Sequence, residues 1–310
     1  MQQQLLVAGI DIGGTNVVLG LVNRQGKILW KSSFLTKQFD DFELLVAHAS
    51  QEVLHALSTI EHAQLIGCGI GAPNGNFYTG NIEHAPNLVW KGIIPVAEKF
   101  TKTLDCKCLI TNDANAAALG EMLYGAAKPY KDFIFITLGT GLGSGIVVNG
   151  DLVYGHDGFA GELGHVIVEK DGRPCGCGRK GCLETYCSAT GLVLTYKELK
   201  KDSTDLIDAK YIFQKAKEQE KEALTAFATT GERLGLALAN AVAYTSPHAI
   251  FLFGGLVHAG DFLLKPTHES FEKNLHIIYR GKVSIHLSHL NENDGAVLGA
   301  ASLIWNDHSL

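Results

Sequence analysis

Leu5-Leu6-Val7-Ala8-Gly9-Ile10-Asp11-Ile12, then Gly13-Gly14-Thr15-Asn16, then Val17-Val18-Leu19-Gly20-Leu21-Val22 is the stretch whose reading decides the fold. The polar turn Asn23 to Lys27 follows, and another apolar strand starts at Ile28. β-Branched runs bounded by glycine and polar clusters read as strands joined by turns. The same order returns at Phe133-Ile134-Phe135-Ile136-Thr137-Leu138, followed by Gly139-Thr140-Gly141-Leu142-Gly143-Ser144-Gly145, Ile146-Val147-Val148, the turn Asn149-Gly150-Asp151, and Leu152-Val153-Tyr154. An internal repeat of strand, Gly/Thr turn, strand, polar turn, strand predicts two related lobes, each built on a β-meander, with a cleft between them.

Between the strands the period changes. Asp40-Asp41 precedes apolar residues at Phe42, Leu45, Ala49, Val53, Leu54 and Leu57, a capped amphipathic helix. Asn112-Asp113 stands between the strand Cys108-Leu109-Ile110-Thr111 and the alanine-rich helix that opens at Ala114. A helical pair is expected from about Asp205 to Thr245, ending before Ser246-Pro247 because a residue ahead of proline avoids the helical region. Ala249 to Phe253 reads as a buried strand running into Gly254-Gly255, and Ala296 to Ile304 as a closing helix. Alternating strands and helices make this an α/β protein. The expected division is a small lobe over 1-115, closed by the C-terminal helix of about 296-310, and a large lobe over 116-295 that carries a cysteine-rich segment.

Composition narrows the function classes. The 310 residues are enough for two domains, and 46% hydrophobic with 19% charged is the balance of a folded globular chain. Lys plus Arg number 26 against 32 for Asp plus Glu, a net charge of −6 without the basic footprint of a nucleic-acid binder. No apolar run approaches the roughly 18 residues of a membrane span, and Met1-Gln2-Gln3-Gln4 lacks a basic n-region, so the expected location is the cytoplasm.

Four motifs carry chemistry. In Asp11-Ile12-Gly13-Gly14-Thr15 the glycines let backbone N–H groups turn toward an anion, and Asp11 can hold a water or Mg²⁺ beside it. Alone this is a tight hairpin; paired with Gly139-Thr140-Gly141 in the repeat, it suits a polyphosphate. Gly67-Cys68-Gly69-Ile70-Gly71-Ala72 matches a dinucleotide fingerprint, but Pro73-Asn74-Gly75 follows where a helix should open, so a dehydrogenase is a minor alternative. Cys175, Cys177 and Cys182 lie within eight residues, with His165 ten positions upstream, a Cys₃His set of structural-zinc type. Cys187, Cys68, Cys106 and Cys108 read as packed residues. Glu162, His165 and Glu184 flank the zinc segment and suit sugar hydroxyls, which both donate and accept. Asp113, at a strand-to-helix junction beside Asn112, is the candidate base for phosphoryl transfer to an alcohol; the simpler role is that Asn112 or Asp113 caps the helix, and the two are compatible.

Asp11-Ile12-Gly13-Gly14-Thr15-Asn16, Asn112-Asp113-Ala114-Asn115-Ala116-Ala117, the Gly139 to Gly145 loop, Gly161-Glu162-Leu163-Gly164-His165 and Cys175 to Glu184 occur in the order of the ROK-family sugar kinases. The chain resembles that family over essentially its whole length. The resemblance implies the duplicated actin-like, ribonuclease H-like ATPase fold. It implies an ATP side formed by Asp11, Gly13, Gly14, Thr15, Asn16, Thr140 and Gly141, with Gly254 and Gly255 near the adenosine, and Mg²⁺ on the phosphates. It further implies that Asp113 takes the proton of a hexose 6-hydroxyl while Asn74, Gly75, Asn87, Asn112, Glu162, His165 and Glu184 hold the ring, His165 also serving the zinc. Pro73-Asn74-Gly75-Asn76 departs from the family's usual Pro-Gly sugar loop, which bears on the sugar more than on the reaction. Glucose is expected first by family frequency, with N-acetylglucosamine and N-acetylmannosamine as alternatives, and family habit implies a homodimer. The family also holds transcriptional regulators with an added N-terminal DNA-binding domain; here the phosphate loop begins by residue 11, so the kinase is expected over a regulator or a sugar sensor without turnover.

Overall fold

The structure, a computed structural model, describes residues 3–201 and 207–307. Its strands are β1 (Gln4–Ile12), β2 (Asn16–Val22), β3 (Ile28–Leu35), β4 (Ala63–Gly71), β5 (Ile82–Glu83), β6 (Ile93–Ile94), β7 (Cys108–Thr111), β8 (Phe133–Leu138), β9 (Leu142–Val148), β10 (Asp151–Leu152), β11 (Ala249–Phe253) and β12 (Ser284–Leu287). Its helices are α1 (Phe42–Ser58), α2 (Val96–Leu104), α3 (Asp113–Tyr124), α4 (Ala189–Lys200), α5 (Ala209–Lys217), α6 (Lys221–Thr245), α7 (Asp261–Asn274) and α8 (Glu292–Trp305). The two large sheets run β3-β2-β1-β4-β7 and β10-β9-β8-β11-β12. In each, the first strand of a meander pairs in parallel with a crossover strand, which pairs in parallel with the next. The repeat legible at Leu5 and Phe133 is thus a repeat of whole sheets, the duplicated actin-like architecture.

The chain forms two compact units, 1–129 with 152–160 and 289–310, and 130–151 with 161–288. The division expected at residue 115 falls instead after Pro129, because α3 packs on α8 within the first unit: a Cβ on Gly120 would lie 3.0 Å from the Gly299 Cα. The expected cap of α1 is Asp41, whose carboxylate accepts from the Glu43 N–H at 2.9 Å. Phe42, Leu45, Ala49 and Val53 are buried as the period requires, but Leu54 is 42% exposed, so the apolar stripe is narrower than read. The helical pair is α5 and α6; Asp205, its expected start, lies outside the described residues.

Alternation in the first sheet explains the fingerprint-like glycines. Leu6, Ala8, Ile10 and Ile12 of β1, with Cys68 and Ile70 of β4, join the core formed with α1 and α2. Gly9, Gly67, Gly69 and Gly71 fall on the opposite face, against α8 and α3. A Cβ on Gly69 would stand 1.8 Å from the Ala300 carbonyl oxygen, and one on Gly9 2.3 Å from that of Val297. The run Gly67 to Ala72 therefore lies inside and just after a strand, where missing side chains let a helix backbone approach, and not at a strand-to-helix phosphate turn. Gly69→Ala is expected to lower the unfolding free energy by about 3 kcal/mol or more, since backbone must move; a denaturant midpoint near wild type would contradict this packing.

Candidate active site

On the glycine-cleared face of the first sheet, Asp11 pairs in register with Gly71, and Gly71 with Thr111. The added Cβ at Gly71 would be 3.5 Å from Asp11 Oδ1 and 3.8 Å from the Asp113 Cα, so the two carboxyl-bearing residues flank one bare position at the strand ends. Asn112 caps α3, accepting from the Ala114 and Asn115 N–H groups at 2.7 and 3.3 Å, and Asp113 Oδ1 accepts from the Ala114 N–H at 2.8 Å. Burial first, then repulsion from Asp113, pushes Asp11 up to about 7. Asp113 keeps exposed surface, yet protein crowds its carboxyl, and burial raises its pKa although the N–H groups of Ala114 and its own residue pull it back. A crowded carboxyl such as that of Asp11 is the kind of oxygen donor a divalent ion suits.

A raised carboxyl pKa means that the folded chain holds a proton which the unfolded chain releases near 4. Stability therefore falls as pH rises from about 4 through about 7 and stays low above it. Asp11→Asn is expected to gain melting temperature on wild type as pH climbs across that window; a constant difference between pH 4 and 8 would remove the argument.

The turn after β1 is closed by the Gly13 N–H to the Asn16 carbonyl at 2.9 Å and tied down by the Thr36 hydroxyl, which donates to the Gly13 carbonyl at 2.7 Å. Gly14, Thr15 and Asn16 are left exposed. A Cβ on Gly14 would sit 2.7 Å from the Asn87 carbonyl oxygen, which brings Asn87 to the phosphate-type turn. Gly75 is pressed on the Thr111 carbonyl, where a Cβ would lie 2.4 Å away. Asn74, at φ 53°, donates its side-chain amide to the Glu83 carbonyl at 2.9 Å, so that amide helps shape the loop.

In the second unit, Thr137 holds the place that Asp11 holds in the first, one pair before the turn, and its hydroxyl accepts from the Gly143 N–H at 3.1 Å. Gly139 and Thr140 are exposed. Gly254 follows the neighbouring parallel strand at φ 105°, with room for no Cβ because the Leu138 carbonyl is 2.7 Å away. The turn and Gly254-Gly255 thus stand side by side at the ends of β8 and β11. A Cβ on Gly141 would approach Glu184 Oε2 to 2.8 Å, which links this turn to the cysteine segment.

That segment gathers as the spacing predicts. The ligand atoms of His165, Cys175, Cys177 and Cys182 lie within 4.8 Å of one another. Cys177 and Cys182 sulfurs are 3.6 Å apart, as are Cys175 Sγ and His165 Nδ1. Tetrahedral zinc with Zn–S of about 2.3 Å and Zn–N of about 2.0 Å separates such atoms by roughly 3.5–3.8 Å, so the four residues fit the ion. Burial opposes ionisation of Cys177, but hydrogen bonds from Arg179 and the neighbouring thiols outweigh it and bring the thiol down to about 6; burial pushes Cys175 and Cys182 up. Glu184 Oε1 accepts from Cys175 Sγ at 3.0 Å and lies 3.7 Å from His165 Nδ1, while His165 Nε2 faces Glu162 at 3.9 Å. His165 therefore presents one nitrogen to the thiols and the other to a carboxylate. Cys68, Cys108 and Cys187 are buried, and Cys106 is half-buried.

Sequence reasoning missed what holds this segment. Arg173 forks onto Glu198 at 2.9 and 2.7 Å, donates to the Thr185 and Gly191 carbonyls, and stacks on Tyr186. An arginine two residues before the first cysteine was the available signal. It also missed that the chain leaves the second meander after Leu152, with 152–160 grouping in the first unit.

The family model described as ROK family matches residues 7–307, and the chain belongs to the ROK family. A glucokinase of Halalkalibacterium halodurans is 37% identical over 279 residues, 85% of this chain and 84% of that protein. A xylose repressor of Caldicellulosiruptor bescii is 29% identical over 97% of this chain and 78% of its own length. The crystal structure of a ROK family glucokinase from Streptomyces griseus in complex with glucose and AMPPNP has a TM-score of 0.79 and 32% identity, covering 96% of this chain and 98% of that one.

Proposed function

We propose that this chain is an ATP-dependent sugar kinase that phosphorylates the 6-hydroxyl of a hexose, with glucose as its sugar. The observation that carries this reading is the pair Asp11 and Asp113, crowded at the strand ends beside an exposed Gly-Thr turn and the N-terminus of α3. Asp113 accepts the hydroxyl proton, and its raised pKa gives it the basicity for that task. Asp11 lies on the Mg²⁺ side; the ion, when bound, neutralises charge on the transferred phosphoryl group. Gly14, Thr15, Asn16, Thr140 and Gly141 offer backbone and hydroxyl donors to the phosphates, Gly13 closes the turn that presents them, and Gly254-Gly255 lies beside the adenosine. Asn74, Gly75, Asn87, Asn112, Glu162, His165 and Glu184 hold the sugar hydroxyls, with a structural zinc fixing the last two. A cytoplasmic homodimer completes the reading; among the described residues no helix is long and apolar enough to cross a membrane.

A panel of hexoses with ATP and Mg²⁺, read by coupled ADP release, tests it. Glucose is expected to give the highest kcat/KM. Preference for N-acetylglucosamine or N-acetylmannosamine moves the sugar assignment, and no sugar-dependent ADP release with any hexose overturns the kinase. The repressor relative makes a regulator the second reading, which predicts DNA affinity that falls steeply with salt.

A further inference from the structure

Asn76 follows the proposed sugar loop directly, and its side chain is 2% exposed. A buried amide must satisfy its donors and acceptor, and this one does so in two directions. Its Oδ1 accepts from the Tyr78 and Thr79 N–H groups at 2.9 and 3.3 Å, which folds the turn after Gly75. Its Nδ2 donates to the Asp157 carbonyl at 2.8 Å, a residue 81 positions away in the strap 152–160. The contact leaves no slack: a Cβ on Gly158, which has φ 91°, would lie 2.4 Å from Asn76 Oδ1.

Neighbours reinforce the same seam. Phe77 stacks on Tyr154 with centroids 4.1 Å apart and planes 10° from parallel, and the Tyr78 hydroxyl donates to the Gly155 carbonyl at 2.9 Å. The Tyr154 hydroxyl hydrogen-bonds Thr111, two residues before Asp113. Beside the seam a cavity of about 470 Å³ opens, with Tyr78, Thr79 and Glu83 from the loop and His156, Asp157 and Phe159 from the strap.

We infer that Asn76 is a positioning residue for sugar binding, locking the strap 152–160 against the Asn74-Gly75 loop so that the two segments form one rigid wall of the hexose site. The inference rests on the kinase reading above. A lock of this kind sets the placement of the sugar-holding loop and leaves the nucleotide turns alone, because none of its bonds involves Gly13-Gly14-Thr15 or Thr140-Gly141.

Asn76→Asp separates the two directions. A carboxylate still accepts from Tyr78 and Thr79, so the turn persists, but it sets an acceptor against the Asp157 carbonyl and releases the strap. The expected result is a rise of about tenfold in the hexose KM, with the ATP KM unchanged and the turn-forming stability retained. A hexose KM within twofold of wild type, or equal rises in both KM values, overturns the inference; a purely structural role would lower the active fraction and leave KM alone. Should Asn76→Asp not fold, Tyr78→Phe, which removes one exposed hydroxyl contact to the strap, decides by the same readout with an expected rise of about threefold. Wild-type turnover is measured in parallel. Its absence with every hexose strikes the kinase reading, whereas a working wild type with unmoved variants strikes this inference alone.

Discussion

Asp113→Asn keeps hexose affinity and loses about 10²- to 10⁴-fold in kcat, the range of a removed general base. The substitution is nearly isosteric, and the helix start survives because the cap is Asn112, not Asp113. What disappears is the only proton acceptor assigned to the sugar hydroxyl. The pH profile supplies a second readout. Burial raises the Asp113 pKa, so wild-type kcat/KM falls as the solution is acidified through a value above the ordinary carboxylate range, where the base takes up its proton. In Asp113→Asn the residual rate loses that acid limb. Turnover within threefold of wild type would take Asp113 out of the mechanism.

Freshly isolated protein is expected to hold about one zinc per chain, and Cys177→Ser to lower both the zinc content and the sugar affinity, the latter by about 10- to 100-fold. The coupling is geometric: Glu184 and His165 both lie against Cys175, and Gly141 lies against Glu184, so a collapsed thiol cluster frees together two residues proposed to hold the sugar and one turn proposed to hold the nucleotide. Cys187→Ser is the control. That thiol is buried apart from the cluster, bonded to the Thr230 carbonyl at 3.5 Å, and its removal should leave zinc content unchanged. Full activity in protein freed of zinc by a chelator would overturn the assignment.

How much of this was legible in one chain of letters depends on the range of the interactions involved. The meander repeat, a capped helix start at Asn112-Asp113, the strand into Gly254 and the cysteine cluster are local patterns, each set by neighbours close along the chain, and they read directly; the structure picks Asn112 as the cap. The Gly67 to Ala72 run shows the limit. Its letters match a nucleotide fingerprint, and only the approach of α8, more than 200 residues on, reveals that the glycines serve helix packing. The lobe boundary moved from 115 to 129 for the same reason, since α3 is held by α8. The bond from the Asn74 amide to the Glu83 carbonyl, nine residues on, was likewise not legible, because it depends on how the loop folds back.

By itself the sequence determined the duplicated α/β plan and the residues that gather at the thiol cluster, because period, turn chemistry and ligand spacing are short-range properties. Tertiary structure alone decided that Asp11 and Asp113 share one crowded position, that Arg173 staples the cysteine segment, and that Asn76 ties a strap 81 residues away. Those contacts join residues far apart along the chain, and such pairings depend on how whole sheets and helices pack, which no local pattern encodes.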